Sequence, residues 1–275
     1  MKISVVIPTT SINRLKTLLT SLKDQDLKPW EVVIVTKNIE TRAVEKHCHN
    51  LGLNCIVLEQ REGYFTRALN MGKNAATGDI IVFTDDDAIA LKNWLKTYAI
   101  LFNQYNKNIA CISSRDIYID THNLKLLPTP DDKPIVKLYR TLIRPILEKP
   151  IPILRKYWCG VYIDRKFNVK HGPCIPSKEC YSLPFRGVNM AFKKEAIEEA
   201  TFPEHPLLKR AMGNEQYVGL QLVLKGWDCI YTPNNPILHM YRKESLSRTE
   251  ISKKLIQEYE LMKSLYKQLL KSYKV

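Results

Sequence analysis

A mostly parallel β-sheet flanked by helices is the architecture expected of this 275-residue chain. Short β-branched strands alternate with amphipathic helices through the first hundred residues, and the strands are apolar on both faces rather than every second residue. The composition, 45% hydrophobic and 25% charged, is that of an ordinary globular protein, so a disordered or low-complexity chain is excluded.

The elements follow in order. Ile3-Ser4-Val5-Val6-Ile7 is a β-branched run that stops at Pro8, and Arg14 to Leu22 carries Leu15, Leu18, Leu19 and Leu22 at helical spacing. Glu31 to Val35, Asn54 to Leu58 and Asp79 to Phe83 read as further strands, separated by helical patterns over Thr41–Leu51 and Thr66–Ala76. Cys111 to Tyr118 is a candidate strand. From Lys133 to Cys159 the chain turns basic and aliphatic, with seven Lys or Arg against Glu148 alone. Asp132 is placed to cap a helix with Pro134 in its first turn. Lys133, Lys137, Arg140 and Arg144 then share one face and Val136, Tyr139, Leu142 and Ile143 another, until Pro145, Pro150 and Pro152 end or kink it. Gly187 to Phe192 is strand-like, Lys193 to Ala200 helical, Glu215 to Lys225 an amphipathic helix, and Asp228 to Tyr231 a strand stopped by Pro233. The tail from Thr249 is helical, with a stripe of Leu255, Tyr259, Met262, Tyr266, Leu269 and Tyr273. It is expected to dock on its own domain, with homodimer or membrane contact as the lesser alternatives. The expected organisation is one domain over 1–242 in two halves (1–100, and 101–242 including the basic segment 133–159), followed by a C-terminal helix over 243–275.

Composition bounds the function less tightly. Lys and Arg number 42 against 28 Asp and Glu, a net +14 with pI near 9.4; such a balance favours phosphate-bearing partners, whether nucleotide, nucleic acid or anionic membrane. The seven cysteines contain no CxxC pair, which indicates neither a disulfide framework nor a zinc ribbon. His47-Cys48-His49 reads as a solvated helix end, since adjacent residues converge poorly on one ion. No run approaches the ~20 apolar residues of a membrane span. The apolar start after Met1-Lys2 is too short for a signal peptide and lacks a small-residue cleavage site. A cytoplasmic location, peripheral to the membrane if the basic segment attaches, is the expectation.

Ligands of parallel sheets lie beyond the carboxyl ends of the strands. There this sequence places Pro8, Thr9, Thr10 and Arg14 after the first strand, Glu59 to Gly63 and Arg67 after the third, and Thr84-Asp85-Asp86-Asp87 after the fourth. Three adjacent carboxylates repel one another unless a cation is present, and a hard divalent ion shared with substrate phosphates satisfies them. A solvated acidic turn, or a helix cap by Asp87, is the plain alternative.

The opening Ser4-Val5-Val6-Ile7-Pro8-Thr9 resembles the first strand of the family 2 glycosyltransferases. Thr66-Arg67-Ala68-Leu69-Asn70-Met71-Gly72 and Thr77 to Asp87 are similar to that family's run into its DxD motif. Arg186 to Phe192 looks like the strand bordering the sugar pocket, Gly213 to Gln221 like the helix opened by an acidic pair, and Gly226 to Pro233 with His239 like the closing strand and metal-binding His. These matches keep the family's order over most of residues 1–242.

The resemblance implies a GT-A fold, Rossmann-like, with a nucleotide-binding half over 1–100 and an acceptor half over 101–242, and transfer of a sugar from a nucleotide-diphosphate donor with Mg²⁺ or Mn²⁺. Asp85 would reach the ribose and share the metal with Asp87 and His239. Pro8, Thr9, Thr10, Arg14, Asp86, Asn70 and Asn189 would border the nucleotide sugar, and Arg67 would add positive charge at the diphosphate. Inverting transfer needs a base for the acceptor hydroxyl, and Glu215 is the candidate. Two departures stand out: Asn214-Glu215 replaces the usual acidic pair, and Val35-Thr36-Lys37-Asn38 replaces the Asp-rich turn that contacts the base, which shifts that recognition toward Thr9, Thr10 and Arg14. The basic segment suits a membrane surface and a polyprenyl-phosphate-linked acceptor, beside a plain glycan; packing of its aliphatics with the bases solvated is the alternative. A nucleotidyltransferase lacks its glycine-rich triphosphate loop here, the Asp cluster opposes a nucleic-acid backbone, and a catalytically silent sugar-nucleotide binder differs only in turnover.

Overall fold

The computed structural model describes residues 1–121, 123–242 and 253–274. In chain order the elements are β1 (Ile3–Thr9), α1 (Ile12–Lys23), β2 (Glu31–Thr36), α2 (Thr41–Leu51), β3 (Cys55–Glu59), α3 (Phe65–Ala75), β4 (Ile80–Phe83), β5 (Ala88–Ile89), α4 (Trp94–Gln104), β6 (Ile109–Asp120) and β7 (Lys125–Leu127). They continue with α5 (Pro134–Leu142), α6 (Arg144–Leu147), β8 (Val161–Ile163), β9 (Val169–His171), β10 (Cys180–Tyr181), β11 (Met190–Lys193), α7 (Lys194–Ile197), α8 (Asn214–Leu224), β12 (Asp228–Met240) and α9 (Lys253–Ser272).

The central sheet runs β10-β12-β6-β11-β4-β1-β2-β3, with β5 on β12 and β7 on β6. β1 pairs in parallel with β2 and β4, β2 with β3, and β6 with β12. β11 runs antiparallel to both β4 and β6, so it reverses between two parallel halves. β8 and β9 form a separate hairpin.

Both sheet faces are covered, which is why the strands read as unbroken apolar runs. Val5, Ile7, Ile34 and Val82 face Leu15, Leu18 and Leu22 of α1 and the aromatics Trp94, Tyr98 and Phe102 of α4. Val6, Val33, Ile81 and Phe83 face Leu69 of α3, Leu220 and Leu222 of α8, and Tyr266 of α9. Gly72 lets α3 lie close on β1, since a Cβ there would stand 2.3 Å from Val6 Cγ1. α9 docks through Leu255, Met262, Tyr266 and Leu270; the expected helix start at Thr249 lies outside the described residues. Because α9 covers α8, that helix is buried on most sides rather than amphipathic.

Several expectations change. Asp87 caps no helix: Ala88–Ile89 pair with β12 instead. Pro233 does not stop its strand, because β12 shifts register between Thr232 and Ile237 and carries its prolines where the ladder is already interrupted. Gly187–Asn189 is a 3-10 turn preceding β11. Asp132 closes a capping box with Thr129 in a 3-10 turn, leaving Lys133 at the start of α5. Cys159 and Cys174 form a disulfide across the base of the β8–β9 hairpin, with Cα atoms 5.1 Å apart; hairpin pairing, which spacing does not reveal, brings them together. Among the described residues no helix is long and apolar enough to cross a membrane.

Candidate active site

The carboxyl ends of β1 and β4 and the late part of β12 meet at one edge of the sheet. Pairing of β5 with β12 sets His239 opposite Ala88, and the Met240 amide donates to the Asp87 carbonyl at 2.8 Å. Asp87 and His239 are therefore neighbours by register. Ligand atoms of Asp85, Asp87 and His239 all lie within 4.8 Å of one another, and this is the only such group among the described residues.

Burial and mutual repulsion set the electrostatics of the cluster, with positive side chains on one of its members. Burial, reinforced by the Asp87 charge, pushes the Asp85 carboxyl up to about 7. Burial also acts against the Asp87 carboxylate, but His239 and Arg242 outweigh it and hold it below the usual range. Arg242 Nε donates to Asp87 Oδ2 at 2.7 Å. Asp87 Oδ1 is buried without a well-oriented hydrogen bond, although His239 Nε2 stands 3.3 Å away.

His239 is oriented from behind. Its Nδ1 lies 3.0 Å from Asp116 Oδ2, so Nδ1–H donates to that carboxylate and Nε2 faces Asp87, the arrangement that readies an imidazole for a metal. Burial opposes charge on the ring, but the hydrogen bond to Asp116 and the close Asp87 carboxylate override it and raise the group to about 10. Two carboxylate oxygens and one imidazole nitrogen fit Mg²⁺ or Mn²⁺. Asp116 is buried within β6 directly after Ser113, Ser114 and Arg115; it belongs to no motif singled out above, and only the pairing of β6 with β12 reveals it.

The other expected residues divide. Pro8, Thr9, Thr10, Arg14, Asp85, Asp86, Asp87, Glu215 and His239 line one cavity of about 1050 Å³. Asp86 is gripped at the end of β1: Arg14 donates from Nε at 2.8 Å and from a terminal nitrogen at 3.0 Å, and Thr9 Oγ1 at 2.7 Å. Those groups fix the Asp loop on the sheet edge. Arg67, expected beside the diphosphate, points instead to Glu204 at 3.2 Å and lies outside the cavity lining. Asn70 likewise holds the 202–204 turn, donating to the Phe202 carbonyl at 2.9 Å and Glu204 at 2.6 Å. Asn189, fully buried, accepts from Trp94 and Tyr98 and donates to the Arg115 and Asn235 carbonyls. All four of its hydrogen-bonding positions are engaged, so it pins the 187–189 turn rather than facing a ligand.

Glu215 opens α8, whose N-cap Gly213 takes φ +95°. A Cβ there would lie 2.6 Å from the Tyr266 hydroxyl, which donates to the Gly213 carbonyl at 2.7 Å. Burial raises the Glu215 carboxyl above its usual range, with the Arg186 charge acting in the opposite sense. Arg186 in turn donates to Asp116 at 2.7 Å and Asp131 at 2.5 Å. At the ends of β2 and β3 the cavity presents Lys37, Gln60 and Tyr64, with Lys37 and Lys209 amines 5.4 and 5.6 Å from the Tyr64 ring.

Comparison with known proteins agrees with this geometry. Over 123 residues the chain is 29% identical to poly(ribitol-phosphate) beta-N-acetylglucosaminyltransferase TarS of Staphylococcus aureus, covering 42% of this chain but only 22% of that protein. Among solved structures, GalNAc-T7 with UDP, GalNAc and Mn²⁺ superposes with a TM-score of 0.69 at 14% identity, over 95% of this chain and 47% of that one. Residues 1–349 of S. aureus TarS with UDP-GlcNAc give 0.61 at 17%, over 99% and 71%. The mannosyltransferase PcManGT of Pyrobaculum calidifontis with GDP-Man and Mn²⁺ gives 0.58 at 16%, over 98% and 74%. These likenesses establish the GT-A fold. Residues 4–166 match the sequence family described as Glycosyl transferase family 2, and with that match the chain belongs to the family 2 glycosyltransferases.

Proposed function

We propose that this glycosyltransferase is metal-dependent and inverting, and that it moves a sugar from a UDP- or GDP-sugar to a hydroxyl of a glycan, free or polyprenyl-phosphate-linked. The observation that carries the reading is the Asp85–Asp87–His239 cluster on the cavity wall with Glu215 in the same cavity. The TarS and PcManGT structures hold UDP-GlcNAc and GDP-Man, which supports a donor of this class.

Asp85, Asp87 and His239 would hold the ion, which when bound neutralises charge building on the departing diphosphate. Asp116 keeps the His239 proton on Nδ1, and Arg14 keeps Asp86, and with it the loop, in place. The acceptor oxygen forms its bond to the anomeric carbon from the face opposite the diphosphate while that bond breaks. Glu215 takes the acceptor proton, and the nucleoside diphosphate leaves with the bonding pair. Burial makes Glu215 a stronger base than an exposed glutamate. Lys209 and Arg210 in the cavity wall suit a phosphate-bearing acceptor, in keeping with the poly(ribitol-phosphate) in the name of TarS.

Release of free nucleotide from a panel of UDP-, GDP- and dTDP-sugars tests the reading, with water standing in for the acceptor hydroxyl. Nucleoside diphosphate should appear with one base, stop with EDTA and be absent in Asp87→Ala. Release of pyrophosphate instead, or of nothing, contradicts it.

A further inference from the structure

The segment between β7 and β8 is built inside out. Ile135, Leu138, Leu142, Ile143, Ile146 and Leu147 are 46–76% exposed, whereas a surface helix ordinarily turns such residues inward. Arg140 and Arg144 instead face the protein. Arg140 is 6% exposed; it pairs with Asp131 and donates to the Ile175 carbonyl at 3.3 Å. Arg144 pairs with Glu148 at 2.7 Å and donates to the His171 carbonyl. Rolling the segment over to hide its leucines would strand buried guanidinium groups, so the aliphatic stripe is held outward by ion pairs on the opposite side. This divides the faces differently from the sequence expectation, in which Lys133, Lys137, Arg140 and Arg144 shared one face: the two lysines are exposed and the two arginines turn inward.

The surroundings of the stripe state what covers it. Lys133, Lys137 and Lys149 are exposed beside it. Glu148, the one acid between residues 133 and 156, is engaged by Arg144 and, at 2.7 Å, by Lys170. The rim is therefore positive and has no uncommitted carboxylate of its own. A second copy docked through the same face would oppose lysines to lysines. An anionic lipid surface accepts both features, with aliphatic side chains at the acyl boundary and lysines extending to the headgroups. We propose that the outward face of α5 and α6 docks the enzyme reversibly on an anionic membrane surface.

The inner face of the same segment leads to the active site. Asp131 joins Arg140 to His171 at 2.9 Å and to Arg186, Arg186 reaches Asp116, and Asp116 holds His239. Pro130 and His171 line the cavity. Docking therefore brings a wall of the cavity to the lipid, which is where a lipid-anchored acceptor enters; that last step alone rests on the proposed function.

The test is flotation of the full chain with vesicles of phosphatidylcholine, alone or mixed with phosphatidylglycerol. Wild type should bind the anionic vesicles and release them as salt rises. Leu138→Asp with Ile146→Asp should weaken binding by at least about tenfold, and Lys133→Gln with Lys137→Gln by about fivefold for each lysine, with donor hydrolysis in solution unchanged in both. Absence of binding to anionic vesicles, or binding that the aspartates leave intact, overturns the proposal. So does a dimer that the aspartates dissociate in a protein that ignores vesicles, which would assign the face to a second copy. Vesicle binding needs neither donor nor metal, so its failure leaves the transferase reading untouched.

Discussion

In the proposed mechanism the chemistry turns on two residues, Glu215 as base and Asp116 behind His239. Replacing Glu215 by Gln keeps the shape and removes the base, so kcat should fall about 10²–10⁴-fold while donor affinity holds. Because burial raises its pKa from 4.5, wild-type kcat/KM should decline on acidification through a value above that of an ordinary glutamate, and the variant should lack that limb. A pH–rate profile checks both; an unchanged acid limb would place the base elsewhere. Asp116→Asn removes the carboxylate charge and leaves one acceptor oxygen for both Arg186 and His239. The His239 tautomer is then no longer fixed and metal affinity should drop about 10–100-fold, read by Mn²⁺ titration with the fold monitored by circular dichroism. The Asp cluster and His239 were legible because strand ends and motif order mark them. Asp116 was not, because a buried carboxylate within a strand shows its purpose only when the neighbouring strand's register is known. Arg67 and Asn70 sit on the correct helix and carry the expected chemistry, yet both are drawn to the 202–204 turn, a contact more than a hundred residues away in sequence.

Elements were legible where local periodicity and burial agree. The helix over Thr41–Leu51 has the expected bounds, and the strand and helix order to β4 follows the β-branched runs and leucine spacing. α4 carries its signal in Trp94, Tyr98 and Phe102 at four-residue steps, which aromatic content makes easy to mistake for strand. β12 outruns Pro233 because the bulge after Thr232 absorbs the missing donor. The disulfide depends on hairpin pairing, and the outward aliphatics of α5 depend on Asp131, which the helix itself does not contain. At this scale Gly213 joins α8 to α9. Gly213→Ala meets both a positive φ and the Tyr266 hydroxyl, and should cost roughly 1–3 kcal/mol in urea unfolding. A variant as stable as wild type would mean that α9 shifts freely and does not support the start of α8.

The whole molecule carries +14, yet its cavity gathers carboxylates, and the two facts meet in the buried network from His239 to Arg140. In the folded protein burial opposes the Asp131 charge, but His171, Arg186 and Arg140 outweigh it and hold its pKa below the ordinary 3.8. Its contribution to stability is therefore complete above pH 3.8 and is lost as pH falls through the lower folded value. Asp131→Asn should lose about 3–5 kcal/mol near neutrality, because it leaves Arg140 buried and unpaired, and should converge on wild type in acid. Parallel curves at all pH values would dissociate the network from stability. Composition favoured a phosphate-bearing partner without choosing among nucleotide, nucleic acid and membrane; the Asp cluster at the sheet edge speaks for a nucleotide there, and the outward aliphatic face of α5 and α6 for a membrane on another side of the molecule.

Thermal stability against UDP-, GDP- and dTDP-sugars, with and without Mn²⁺, in wild type and Asp87→Ala is the most direct test of the donor site. Ligand at a hundred times its dissociation constant should add about 2.7 kcal/mol. The account predicts a shift with one base that requires Mn²⁺ and disappears in the variant. A shift that persists without metal and in Asp87→Ala would contradict the metal site, and no shift with any donor would contradict the donor site itself.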